Sequence, residues 1–287
     1  VITNIDRDHM GTYGHDFDRL KKSFIDFGNN LPFYGSAALC IDDPNVLEIM
    51  PFISRRALTY GFDMRAEFRA AEVRIDAKGG WVFRVDRGNS FDSLEITLPV
   101  PGYHNVRNAL AAIAIATDEG VSDQTIVKAL GSFSGVGRRF EVSSEIMLGG
   151  RSLTLVDDYG HHPTEVEAVI DTARKMWPGK RIAMVYQPHR FSRTRDLFDE
   201  FVNVLSKVDD LMLLDVYDAG ESAIDGASSK DLSLALSNKS GNCSVVLSCY
   251  DEISSELERH VHSADVLIVQ GAGNISNISK KLRASNA

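Results

Sequence analysis

Between residues 152 and 284, short runs of consecutive apolar residues alternate with stretches of helical spacing. Ile182-Ala183-Met184-Val185-Tyr186 and Val266-Leu267-Ile268-Val269 contain no charged or amide residue. A strand with one wet face alternates apolar and polar positions. An unbroken run therefore belongs to a parallel sheet covered by helices on both faces. The pattern predicts strands at 152–157, 181–187, 210–216, 243–248 and 265–270, and helices at 163–176, 193–206, 229–238, 251–260 and 273–284. Right-handed crossovers bring every loop that leaves a strand end to one rim. Open α/β sheets bind their ligands at that rim.

Three loops on the predicted rim are chemically unusual. Asp157-Asp158-Tyr159-Gly160-His161-His162-Pro163-Thr164-Glu165 gathers two carboxylates, a phenol and two imidazoles between a strand and a helix. Pro163 suits the first helical turn, and Glu165 suits its positive end. Gln187-Pro188-His189-Arg190-Phe191-Ser192-Arg193-Thr194-Arg195 places one imidazole and three guanidiniums near a helix amino terminus. Cations there oppose the helix dipole, and a bound anion would remove the conflict. Gln270-Gly271-Ala272-Gly273-Asn274-Ile275 resembles half of a dinucleotide fingerprint, a weak signal by itself. Close strand–helix packing explains its two glycines equally well.

The first half of the chain reads differently. Residues 1–5 look like the end of a buried strand, followed by a polar loop that contains His9. A histidine just past a strand end is a candidate metal ligand, although a lone one is more often a surface residue. A helix is expected over 17–27, strands over 37–41 and 58–62, and a short helix over 46–52. From 66 to 98 the period becomes two, punctuated by Gly79-Gly80 and Gly88-Asn89, which predicts a small antiparallel β subdomain. Pro101-Gly102-Tyr103-His104-Asn105-Val106-Arg107-Asn108 opens an alanine-rich helix. Asn105 and Asn108 share a face at its start, where their amides could meet an adenine edge or Asn105 could cap the helix. Gly135-Val136-Gly137-Arg138-Arg139-Phe140-Glu141 reads as a hinge or a phosphate-facing turn. The domain boundary is placed near 142, giving domains 1–142 and 143–287.

With 287 residues the chain can hold two cores. A net charge of −9 and no basic stripe with interleaved aromatics argue against nucleic acid as a partner. No apolar run is long enough to span a membrane. Three cysteines, odd in number and without metal-site spacing, point to a reducing, cytoplasmic setting. The absence of an initiator methionine and the start inside a strand suggest part of a longer chain.

Taken in order, TNIDRDHM, PGYHNVRNALAA, GVGRRFE, DDYGHHPTE, QPHRFSRTRDL, DVYDAGE and QGAGNI make the chain resemble the Mur ligases of bacterial cell-wall synthesis. The resemblance spans nearly all of the chain. It departs at Asp6, where the family commonly has Glu, at Gly11, where it has Asp, and at Ser222–Gly226, which replaces a proline-rich segment. No G-x-x-G-K-T phosphate loop occurs. The resemblance implies a partial central ATP-binding α/β domain followed by a Rossmann-like, doubly wound domain that binds the amino acid.

The implied reaction adds L-alanine to UDP-N-acetylmuramate through an acyl phosphate, with ATP and Mg²⁺. Carried over by motif, His9 is implied as the Mg²⁺ ligand, and Asn105 and Asn108 as adenine contacts. Arg139 is implied at the phosphates, and Asp158 as the acidic group that reaches the nucleotide when the domains close. Tyr159, His161, His189, Arg190 and Arg193 are implied as the alanine site, with His161 also a catalytic candidate. The alternatives are a related ligase that recycles murein tripeptide and a non-catalytic binding fragment of this fold. Monomer and homodimer are both open.

Overall fold

A computed structural model describes residues 1–76, 80–88, 91–239, 243–249, 253–261 and 263–285. The chain divides into two compact units, Val1–Ser134 and Gly135–Ala287.

The first unit runs α1 (Phe17–Asn29), β1 (Ser36–Cys40), α2 (Pro44–Ile49), β2 (Arg56–Gly61), β3 (Phe68–Ile75), β4 (Trp81–Arg87), β5 (Leu94–Leu98), α3 (Tyr103–Asp118) and α4 (Asp123–Gly131). Its sheet has the order β1-β2-β3-β4-β5, parallel from β1 to β3 and antiparallel thereafter. The period-two block is thus antiparallel as expected, and it continues the parallel strands in one mixed sheet. The pairs Tyr60↔Phe68 and Gly61↔Arg69 join it to the parallel strands, and one core containing Tyr60, Phe68, Phe83 and Leu110 underlies both parts. Gly79 and Asn89, expected in its turns, lie outside the described residues. The expected amino-terminal strand is only a bridge, Ile2↔Leu39. Ile2 and Ile5 are still buried, in a second core with Leu20, Leu39 and Val46.

The second unit runs β6 (Glu141–Leu148), β7 (Arg151–Asp158), α5 (Pro163–Met176), β8 (Ile182–Tyr186), α6 (Phe191–Asp196), α7 (Phe198–Leu205), β9 (Asp210–Leu214), α8 (Ser229–Asn238), β10 (Ser244–Ser248), α9 (Ile253–His260), β11 (Val266–Gln270) and α10 (Ser276–Ala284). Its sheet has the order β10-β9-β8-β11-β7-β6, and every pair is parallel except β6 with β7. The unbroken apolar runs are explained by two separate cores. Ile182, Met184 and Tyr186 pack with Val166, Ile170 and Phe201 on one face. Ala183 and Val185 pack with Leu257, Ile275 and Ile278 on the other. Each fully buried Val, Leu, Ile or Met side chain in these cores contributes about 1.5–3 kcal/mol of burial.

Two expectations need correction here. The boundary falls at Gly135, not near 142, because β6 belongs to the second sheet through pairs such as Val142↔Val156. The single helix expected over 193–206 is two helices, broken at Leu197, whose φ of −121° and ψ of 30° leave the helical region. Residues 251 and 252 of the helix expected at 251–260 lie outside the described residues.

Candidate active site

The β7 loop is built around two carboxylates. Asp158, 4% exposed, accepts at Oδ2 from Phe140 N–H (2.8 Å). Its Oδ1 accepts from Gly160 N–H (2.7 Å) and from Gln270 Nε2 (3.1 Å). Burial pushes its pKa up to about 6, with the hydrogen bonds from Gly160 and Phe140 pulling the other way. Asp158 thus fastens the start of β6 and the β7 loop to the end of β11. Glu165 closes the loop from the helix side. It accepts from His161 N–H (2.8 Å) and His162 N–H (3.1 Å). Burial opposes its ionisation, yet these backbone donors bring its pKa below the usual value. His162 caps α5, its Nδ1 accepting from Thr164 N–H at 3.4 Å, with Pro163 at the first helical position.

This frame presents a run of touching polar rings. Tyr159 and His161 meet edge to face with centroids 5.6 Å apart, and His161 lies 5.6 Å from His189. Arg193 Nη1 donates to the His189 carbonyl oxygen (3.1 Å) and lies 3.4 Å from His189 Nδ1. Arg138 and Arg139 lie over the Tyr159 ring, 5.1 and 5.7 Å from its centroid. Burial, helped by the charges of His161, Arg193 and Arg190, holds the His189 pKa down at about 4. His189 is therefore neutral at pH 7. A guanidinium can only donate, so this contact is a hydrogen bond in the tautomer with a bare Nδ1.

The structure brings Arg139, Tyr159, His161, His189 and Arg193 into one contact chain. Arg190 stands beside it, paired with Glu221 at 3.2 Å. The conflict of cations with the α6 dipole is met from within the chain. Glu221 accepts from Ser192 N–H (2.9 Å) and Ser192 Oγ (2.7 Å), so a carboxylate occupies that helix start. Both glycines of the β11 loop serve packing. Gly271 has φ +152°, and a Cβ there would stand 2.8 Å from the Gln187 carbonyl oxygen. The hinge-like turn has three positive φ values, at Gly135 (86°), Arg138 (57°) and Phe140 (51°).

The remaining candidates lie on the first unit. Asn105 does not cap α3; Gly102 precedes the helix with φ +105°. Asn105 Nδ2 donates to the Pro101 carbonyl oxygen (2.6 Å), and Asn108 Nδ2 lies 3.5 Å from Asn105 Oδ1. His9 is exposed at φ +53°, with Nε2 3.7 Å from Asp8 Oδ2. Among the described residues no three His, Cys, Asp or Glu side chains converge as metal ligands. Mg²⁺ takes six ligands, nearly all oxygens. His9 and Asp8 therefore do not form a Mg²⁺ site by themselves.

Sequence reasoning assigned no site role to Tyr186, Tyr217 or Glu221. Tyr217 and Glu221 fall within DVYDAGE, one of the stretches that carry the resemblance, which was the available signal.

Residues 1–116 match the family profile described as the Mur ligase middle domain, and residues 138–273 match that of the Mur ligase glutamate ligase domain. The chain belongs to the Mur ligase family, whose members are ADP-forming acid–amino-acid ligases. It is similar to the UDP-N-acetylmuramate–alanine ligase of Thermotoga maritima, at 24% identity and a TM-score of 0.72, over 99% of this chain and 58% of that one. It is also similar to MurF of Acinetobacter baumannii, at 19% identity and TM-score 0.73, over 99% and 58%. The murein peptide ligase of Psychrobacter arcticus is a third, at 20% identity and TM-score 0.63, over 93% and 54%. Likenesses this distant carry the fold. The chain thus spans less than two thirds of the length of each. No helix among the described residues is long and apolar enough to cross a membrane.

Proposed function

We propose that these two units are the nucleotide and amino-acid parts of a cytoplasmic ligase that joins L-alanine to UDP-N-acetylmuramate at the expense of ATP. The observation that carries this reading is the run Tyr159–His161–His189–Arg193 at the rim of the second sheet. It offers a guanidinium for a carboxylate and imidazoles for an amine. The first unit contributes Asn105 and Asn108 as contacts to adenine.

The muramyl carboxylate attacks the γ-phosphorus of ATP and expels ADP, leaving an acyl phosphate. The amine of L-alanine, having lost one proton, adds to the acyl carbon. Collapse of the tetrahedral intermediate breaks the carbon–oxygen bond to phosphate and releases a second amine proton. Arg193 and Arg190 hold the alanine carboxylate, since a guanidinium meets both carboxylate oxygens at once. Arg139 faces the charge that builds on the phosphoryl oxygens. Asp158 acts by holding the β7 loop through Phe140 and Gly160. His189 is the poorer proton acceptor, because its pKa is held at about 4 and its Nδ1 faces Arg193. His161, on the other side of the same contact, is the group assigned that proton.

The assay is ADP formation by the intact enzyme with UDP-N-acetylmuramate and either L-alanine or the murein tripeptide. Turnover with alanine and none with tripeptide supports the reading. The reverse selects the recycling ligase.

A further inference from the structure

The loop that follows β9 contains no residue used in the mechanism above, yet it grips the β8 loop in three ways. The Tyr217 ring lies face to face with His189, centroids 5.3 Å apart and 13° from parallel. Tyr217 N–H donates to the Pro188 carbonyl oxygen, and Arg190 N–H donates to the Tyr217 carbonyl oxygen, each at 2.8 Å. Glu221 takes two hydrogen bonds from Ser192 and pairs with Arg190.

The backbone contacts hold a strained residue. Arg190 sits at φ +74°, a conformation that costs a residue with a side chain on the order of 1–3 kcal/mol and persists only where its surroundings impose it. The seat of Tyr217 is in turn made by Gly273, where a Cβ would stand 2.9 Å from the ring and collide with Gln187 Oε1. Packing for stability alone is the simpler explanation. It fits poorly here, because Tyr217 is 39% exposed and adds little to either core.

The geometry points to Tyr217 and Glu221 as positioning residues for amino-acid binding: Tyr217 fixes the plane of the His189 imidazole, and Glu221 fixes the Arg190 guanidinium and the start of α6. Neither is assigned a contact with the amino acid itself. The inference rests on the reading that His189, Arg190 and Arg193 form the amino-acid site.

In the intact ligase, Tyr217→Ala and Glu221→Ala are each expected to raise KM for L-alanine about tenfold, with KM for ATP nearly unchanged. Tyr217→Phe keeps the ring and should behave as wild type. Gly273→Ala displaces the ring without removing it. It should also raise the alanine KM, and it replaces Tyr217→Ala if that variant does not fold. A nuclear magnetic resonance titration of His189 reads the same geometry without turnover. Loss of the Tyr217 ring should raise the pKa from about 4, because burial is its main cause. His189→Ala and Arg193→Ala serve as references. If they leave the alanine KM unchanged, the site reading itself fails. If they raise it while Tyr217→Ala, Gly273→Ala and Glu221→Ala do not, or if those three raise the KM for ATP equally, the positioning roles fail alone.

Discussion

The hydroxyl of Tyr186, at the buried end of β8, donates to the carbonyl oxygen of His161 at 3.1 Å. One strand thereby fixes the backbone of the loop that leaves another. Burial keeps this phenol far above its ordinary pKa, so it remains a donor at any working pH. Tyr186→Phe removes the donor and keeps the ring that packs on Phe201. We expect a loss of about 1 kcal/mol in urea denaturation and a several-fold rise in KM for the amino acid. Wild-type values for both would show that His161 needs no such tether.

Asp158 gives the second prediction. Its folded pKa, raised to about 6, exceeds that of an unfolded aspartate. The folded state therefore holds its proton more tightly. This group's contribution to stability is greatest below pH 4 and declines as pH rises towards 6. Asp158→Asn abolishes the titration, with a pH-independent loss from its misplaced amide hydrogens. The stability of the variant relative to wild type should thus rise between pH 4 and pH 6, by on the order of 2 kcal/mol, and be level above pH 7. A difference that is flat throughout would mean an ordinary Asp158.

Gly271 is the third. Its φ of +152° and the nearby Gln187 carbonyl oxygen leave no room for a methyl group. Gly271→Ala should cost about 2–4 kcal/mol. Gly137→Ala, whose Cβ would meet only Glu141 Oε2 at 3.9 Å, should change stability by less than about 0.5 kcal/mol. Thermal or urea denaturation of the pair checks this. Equal effects would contradict a packing role for Gly271.

Much of the second unit is legible in the sequence because burial on two faces leaves an unambiguous trace. The helix at 163–176 falls where Pro163, Glu165 and its spacing put it, and the helix at 229–238 falls where the alternation puts it. Strand β6 is not legible. Its pattern is broken by an irregularity between Ser143 and Ile146, with Glu145 at φ +61°, and an edge strand buries few residues. The Gly149-Gly150 pair before β7, at φ +56° and +79°, is the hairpin turn that could have revealed it. The break at Leu197 has no proline or glycine to announce it. Within the site, residue types and loops were readable from the chain, but partners distant in sequence were not. Glu221 lies on a different strand's loop from the Arg190 and Ser192 it holds, and no local pattern encodes that pairing.

Arg193 tests the amino-acid site most directly. It is buried in the second unit against the His189 backbone and ring. The measurement is the steady-state kinetics of the intact enzyme carrying Arg193→Ala, with L-alanine and ATP varied separately. The KM for ATP should stay close to wild type, while kcat/KM for alanine falls by about two orders of magnitude, as expected on losing a charged hydrogen-bonded clamp. Unchanged kinetics for alanine would contradict an amino-acid site at the rim of the second sheet.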